Sequence, residues 1–429
     1  MINGRERKRN SMMRRTIWIG WAAATVVMTT NAPAQDCRTD INPALWYYQA
    51  MLLGPREGDT NRDYLLQGEW RGEKLPAKVG EALGCFQAPF RYLRNASHAT
   101  VACDWGIDLT PGPETLLPHL ARCKQLATLE ALEATWELQH GNEAAARDDL
   151  IGAFALARDS SRDSTVIAAL VQFAAQNNVI ETVARNFGSL DAATLEQLAS
   201  GFDAAPPAGT LANAYETGER YCNYEWLGRK IVQWQKESGG DDGKVMAQAK
   251  RLFDEFGGEG GTNQFQAVWK KTRNSDELLA LVRGMEPFYN EAVRIIVLPH
   301  GPFEEQAKQF EASLDRADNP LLKAVFPLIT KARQKEFRAQ ALLAMFHAAA
   351  AFKAHGEAGF NSVNDPFGQG PFQMNRFIYE TRDRGFQLTS AYNGAGYPET
   401  LIFVESGELP ADVLGPKAGR PLESSTTAK

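Results

Sequence analysis

Apolar residues recur at spacings of three and four along most of the chain, and only near its end does the pattern change to alternation. Asn42-Pro43 reads as an N-cap with proline at the first helical position, and Gly54-Pro55 as the stop of that helix. Between them ALWYYQAMLL is apolar nearly all round, which predicts a buried helix. A longer pattern opens at Gly112-Pro113 and runs to His140. One stripe carries Leu116, Leu120, Cys123, Ala127 and Ala134, and a second carries Leu126, Leu129 and Trp136. Two apolar stripes imply neighbours on two sides, as in a stacked helical array. Gly141 then turns the chain into a return helix, Asn142 to Arg158. Its Ala146, Leu150 and Ala153 have the spacing of a tetratricopeptide hairpin, in which small residues let two helices approach. The signal does not recur one repeat later, where Ala175 holds the turn position, so one such hairpin is predicted inside an irregular α-solenoid.

Further helices are predicted downstream. Asp163 is read as the cap of one that stops at Gly188. Asp191 caps the next, with Leu190 and Leu195 placed for a hydrophobic staple, and Pro206-Pro207 breaks the chain after it. Thr210 to Glu237 is helical again. Glycines 239, 240, 243, 257, 258, 260 and 261 mark loops around a short helix and the best subdomain boundary. Ser275 to Val297, interrupted at Pro287, and Phe303 to Ala317 follow. Asn319-Pro320 caps a last helix, kinked at Pro327, that reaches Gly356. After the segment NDPFGQGPFQM, period-two patterning over Phe372–Tyr379, Phe386–Ser390 and Thr400–Val404 predicts a small β-meander. The fold class expected is therefore mainly α, a helical-hairpin array with a small C-terminal meander. The segments are 1–34, 35–238 (helical array), 239–262 (Gly-rich loops), 263–356 (C-terminal helices), 357–405 (turn and meander) and 406–429, a polar tail read as disordered.

The first residues change the picture of where the chain works. A basic stretch, the apolar run Ile17–Met28 and Ala32-Pro33-Ala34 have the order of a secretory signal peptide, cleaved after Ala34. The run is too short to span a bilayer as a helix. Retention as an anchor is the alternative. An exported protein, periplasmic or extracellular, is expected. The whole chain carries −6, and the first 34 residues carry +5 (six bases, one acid), which leaves −11. Such a chain repels phosphate backbones and anionic lipid heads, so neither nucleic acid nor a membrane surface is an expected partner. Five cysteines, Cys37, Cys85, Cys103, Cys123 and Cys222, contain no CxxC, and the odd number leaves at least one free or paired between chains. Buried thiols are the simpler reading, and Cys85 with Cys103 is the pairing to test first.

Candidate chemistry is sparse. HExxH, GxSxG and nucleotide-binding fingerprints are absent, and the Gly-rich zone lacks the Lys-Ser/Thr of a phosphate loop. Six scattered histidines and the adjacent Asp241 and Asp242 lack metal-ligand spacing, so no metal and no cofactor is expected. In CDWGID, Asp104 and Asp108 could serve as paired carboxylates of a glycan hydrolase with Trp105 as a sugar platform. The structural reading has Trp105 plugging the end of the long helix while Gly106 turns and Asp104 bonds loop amides. Tyr215, Tyr221, Tyr224, Trp226 and Trp234 fall on one helix and could bind sugar or peptide, or form core. In NDPFGQGPFQM each of Asp365, Pro366, Phe367 and Gly368 has a folding reason, which makes the segment a structural clasp.

The segment CDWGIDLTPGPETLLPHLARCKQLATLEALEA resembles an uncharacterised family of exported bacterial helical proteins. The resemblance extends to NPALWYYQAMLL, LDAATLEQLASGFDAAPP and the last helix with DPFGQGPF, and it implies export and a helical fold without an activity. The ending is also similar to the C-terminal part of type II secretion major pseudopilins, in Asp365-Pro366-Phe367-Gly368 and the strand around Phe386–Ser390. The position of the calcium loop in that family is Asn393-Gly394-Ala395-Gly396 here, without carboxylates, and the pseudopilin N-terminal signature is absent. The function expected is a non-enzymatic module that binds a protein or peptide of the envelope. The glycan hydrolase is the alternative, and a structural envelope protein a third.

Overall fold

The computed structural model of the protein describes residues 38–407 and Leu409, apart from residues 69, 71–73, 258–261, 327–328, 395 and 408. The expected signal peptide, Cys37, Pro327 and the tail from 410 onward lie outside the described residues.

The chain is mainly α-helical with one small antiparallel sheet near its end. Helix α1 (Pro43–Leu53) starts where the sequence placed it, with the Asn42 side chain accepting from the Ala44 amide at 3.1 Å. Its all-round apolar character does not bury it all round. Ala44, Tyr47 and Ala50 face the core, while Leu52 is 83 % exposed. One side of the helix has a neighbour and the other has none among the described residues. Three short helices not foreseen follow: α2 (Thr60–Gln67), α3 (Ala77–Leu83) and α4 (Gln87–Ser97). The long helix α5 (Pro118–Gln139) begins at Pro118 rather than at Gly112-Pro113, which form a single 3-10 turn. Gly141, at φ 79°, turns α5 into α6 (Glu143–Asp159). Ala146, Leu150 and Ala153 are fully buried where the two helices pack. Helix α7 (Val166–Arg185) is capped by Thr165, whose hydroxyl accepts from the Ala168 amide at 3.2 Å. Asp163, the expected cap, instead holds Thr165 and meets His119. Helix α8 (Ala192–Ala204) carries the Asp191 cap, with Leu190 and Leu195 both buried beside it.

From Thr210 the helical path is not uniform. A single turn, α9 (Leu211–Asn213), passes into a π-helical stretch over Ala214–Glu225 before α10 (Trp226–Glu237). Then come α11 (Asp242–Gly257), α12 (Thr262–Lys271), α13 (Ser275–Arg283), α14 (Glu286–Ile296) and α15 (His300–Arg316). The expected single last helix is two, α16 (Pro320–Val325) and α17 (Ile329–Phe360), the latter interrupted at Gly356, which has φ 63°. The strands β1 (Gln373–Tyr379), β2 (Arg382–Thr389) and β3 (Thr400–Val404) pair antiparallel in the order β1-β2-β3.

One apolar core joins α1, α4 to α8, the middle of α17 and the inner face of the sheet. There Phe187 meets Phe386 and Phe403 edge-on, with centroids 5.5 and 5.2 Å away. A second core lies under α10 to α14 and α16, and a third between α7, α14, α15 and the first half of α17. The clasp ties the sheet to this body. Asp365 is 5 % exposed and accepts from the Phe367 and Ala391 amides, while Phe367 meets Phe337 and His300 edge-on and Tyr392 at a tilt. Arg338 of α17 bridges Glu399, just before β3, and Glu181 of α7 at 2.9 and 3.1 Å. Leu409 is buried against Phe377, Ile402 and Val404 on the sheet. No helix among the described residues is long and apolar enough to cross a membrane.

Candidate functional site

The residues singled out from the sequence fall into separate places. Asp104 and Asp108 stand on the exposed loop before α5. Asp104 accepts from the Gly106 amide at 2.9 Å, and Asp108 from the Thr110 amide and hydroxyl at 2.9 and 2.7 Å. Those bonds hold the Asp108 carboxyl below its ordinary range. A general acid needs the opposite shift, produced by burial.

Trp105 points inward from the same loop and is 5 % exposed. Its indole N–H donates to the Asp159 carbonyl at 2.7 Å, and its ring stacks on Tyr47 and His119 at 5.5 and 4.5 Å. Tyr47 donates its hydroxyl to the Asp159 carboxylate at 2.8 Å, and His119 lies 3.3 Å from Asp163. Burial pushes Asp159 up to about 7, against the pull of Tyr47 and Arg162. Cys103 and Cys123 are in the same interior, their thiols pushed up chiefly by burial. Trp105 is thus a plug over a closed polar cluster, not a platform open to a sugar. Cys85 is exposed, and the four described cysteines carry no disulfide.

The aromatic cluster divides. Tyr215 and Trp226 are core residues. Tyr221 and Tyr224 remain half-exposed at the end of the π-helical stretch, the kind of irregularity often found at functional sites. Gly112 and Gly218 set that stretch in place. A Cβ on Gly112 would overlap the Trp226 indole, and one on Gly218 would overlap the Ser164 carbonyl.

Where this stretch passes into α10, an open groove of 650 Å³ runs between α10 and α13. The helices lie antiparallel. Gln235 donates to Ser275 and Asp276 at 2.8 and 2.9 Å, and the Gly228 position faces Leu279 and Val282. Tyr224, Gly228, Val232, Leu279 and Val282 line the groove with apolar surface. A Cβ on Gly228 would meet Val282 and Leu279 at 3.8 and 3.9 Å, so the missing side chain leaves that space open. Tyr224 packs on Tyr289 at 5.0 Å, and burial pushes its phenol up.

The rim is charged. Arg229 lies over Tyr221 at 4.1 Å, donates to the Tyr221 carbonyl at 3.1 Å and meets Glu225 at 3.6 Å. Glu237 accepts from Gln233 at 2.7 Å. Lys236 and Arg283 are exposed and have no ion-pair partner among the described residues. No set of three or more His, Cys, Asp or Glu side chains among the described residues is arranged to hold a metal. Sequence reasoning found Tyr221 and Tyr224 through their aromatic spacing. It missed Leu279, Val282 and Arg283, which arrive from a helix some fifty residues later and carry no local signal of a groove.

No known family model matches the chain, and no curated protein and no solved structure matches it.

Proposed function

We propose that this chain is a non-enzymatic helical module, exported to the bacterial envelope, that binds a protein or peptide in the groove between α10 and α13. The observation that carries the reading is the groove itself: an apolar floor of Tyr224, Val232, Leu279 and Val282 between charged rims. Its size lies within the roughly 300–1,000 Å³ of ligand sites, and its openness at the surface suits a chain laid along it. One Leu-sized side chain seated on the floor contributes about 1.5–3 kcal/mol of apolar burial. Export rests on the basic, apolar and Ala-x-Ala segments at the start of the sequence.

Panning a displayed random dodecapeptide library tests the reading. Wild-type protein selects a convergent motif, and Gly228→Phe, which fills the groove, does not, while its thermal unfolding stays near wild type. Failure to converge, or the same motif on Gly228→Phe, overturns it.

A further inference from the structure

We infer that the groove selects an acidic peptide, with two carboxylates bracketing an apolar residue, held by Arg283 at one end and Lys236 at the other. The inference rests on the groove being a peptide site. Three of its lining residues are cations, Arg229, Lys236 and Arg283, and two are acids, Glu225 and Glu237. Three of these five already have partners: Arg229 is held by Tyr221 and Glu225, and Glu237 takes Gln233. What the site offers a ligand is therefore the two cations without ion-pair partners among the described residues, on a chain whose total is −6. Elsewhere that total repels an acidic peptide, so attraction of one is a property of this place.

The antiparallel pairing fixes the separation. Gln235 lies opposite Ser275, and Gly228 opposite Val282, which puts Arg283 level with Leu227. Lys236 is nine residues further along α10, about 13 Å along the helix axis. An extended peptide covers that distance in about four residues. The ligand thus carries acids about four residues apart, with a bulky apolar side chain between them over Val232, Leu279 and Val282. Arg283 can take its carboxylate with two parallel N–H bonds, and Lys236 acts as a point charge.

A spotted array of leucine-anchored decapeptides tests this. It is made in two matched sets, with Glu pairs or Gln pairs at separations from two to eight residues. Wild-type protein binds the Glu set about tenfold more tightly, with the optimum near a separation of four. Arg283→Gln brings the two sets to within about twofold of each other, chiefly by weakening the Glu set. Gly228→Phe loses both sets. Equal binding of the two sets by wild type, or a preference that stays near tenfold in Arg283→Gln, overturns the acidic specificity and leaves the peptide groove standing. No binding of either set, or undiminished binding by Gly228→Phe, removes the groove reading as well.

Discussion

Ser390 donates its hydroxyl to both oxygens of the buried Asp365 carboxylate, at 2.9 and 3.0 Å, across 25 residues. The Ala391 amide adds a bond at 2.6 Å and the Phe367 amide one at 3.0 Å. This carboxylate therefore joins the Asp-Pro-Phe-Gly turn to the end of β2 and, through Tyr392, to α17, whose Gln334 carbonyl accepts the Tyr392 hydroxyl at 2.9 Å. Asp365→Ala leaves these donors without an acceptor in a buried place. It is expected to cost about 2–3 kcal/mol, read by urea unfolding. Asp365→Asn keeps one acceptor oxygen and should lose roughly half as much.

A second outcome concerns pH. Glu130 of α5 is fully buried with neither oxygen hydrogen-bonded among the described residues, and it faces Glu133 on its own helix, Asp149 on α6 and Arg94 on α4. Glu133 takes the Gln87 amide at 2.6 Å, and Asp149 is paired with Arg94. Burial pushes Glu130 well above the carboxyl range and Asp149 up to about 7, with Arg94 opposing both. Such groups keep their protons in the folded state after the unfolded chain has released them. Their effect on stability is thus favourable at low pH and declines as pH rises from about 4 through the folded values. Unfolding free energy should fall between about pH 5 and pH 8, by up to about 1.4 kcal/mol per pH unit for each proton held. Glu130→Gln should show a shallower decline and exceed wild type in stability at pH 8. Parallel pH profiles for the two proteins would contradict this origin.

The π-helical stretch depends on two close approaches. At Gly112, φ is 70° and a Cβ meets Trp226; at Gly218 a Cβ meets the carbonyl of Ser164. Gly112→Ala and Gly218→Ala should each cost about 1–3 kcal/mol by overpacking, measured as a lowered thermal midpoint. Gly228→Ala, which meets only ordinary contacts at 3.8 Å, should be neutral or slightly stabilising, since alanine favours a helix.

Thiol reactivity gives an independent reading of burial. Cys85 is exposed, Cys103 and Cys123 are sealed in the core, and Cys222 is half-buried with its thiol pushed up to about 11, chiefly by burial. In a Cys37→Ser background at pH 8, a disulfide reagent should titrate one thiol fast in the native protein and all four after denaturation. Fast labelling of Cys103 or Cys123, located by peptide mass mapping, would show an open core around Trp105.

Much of the architecture was readable where local chemistry is strong. Asn42, Asp191, Thr210 and Asn319 cap helices at the expected points, and the change to alternation announced the meander. The short helices between residues 60 and 97 were not, because Gly68, Pro76, Gly84 and Pro89 cut the pattern before a period can be counted. The buried acids of LEALEA were equally hidden, since Glu130 and Glu133 read as a solvated face until α4 and α6 cover them. Tyr224 stood out as an aromatic. Its role at a groove edge depends on the π-helical winding and on α13, neither of which leaves a mark in local periodicity.

Hydrogen exchange with the panned consensus peptide locates its binding most directly. Protection should rise at Tyr224–Glu237 and Leu279–Arg283, and a scrambled peptide should give none. Protection confined to other helices, or no change on α10 and α13 at saturating peptide, would contradict the assignment of this groove.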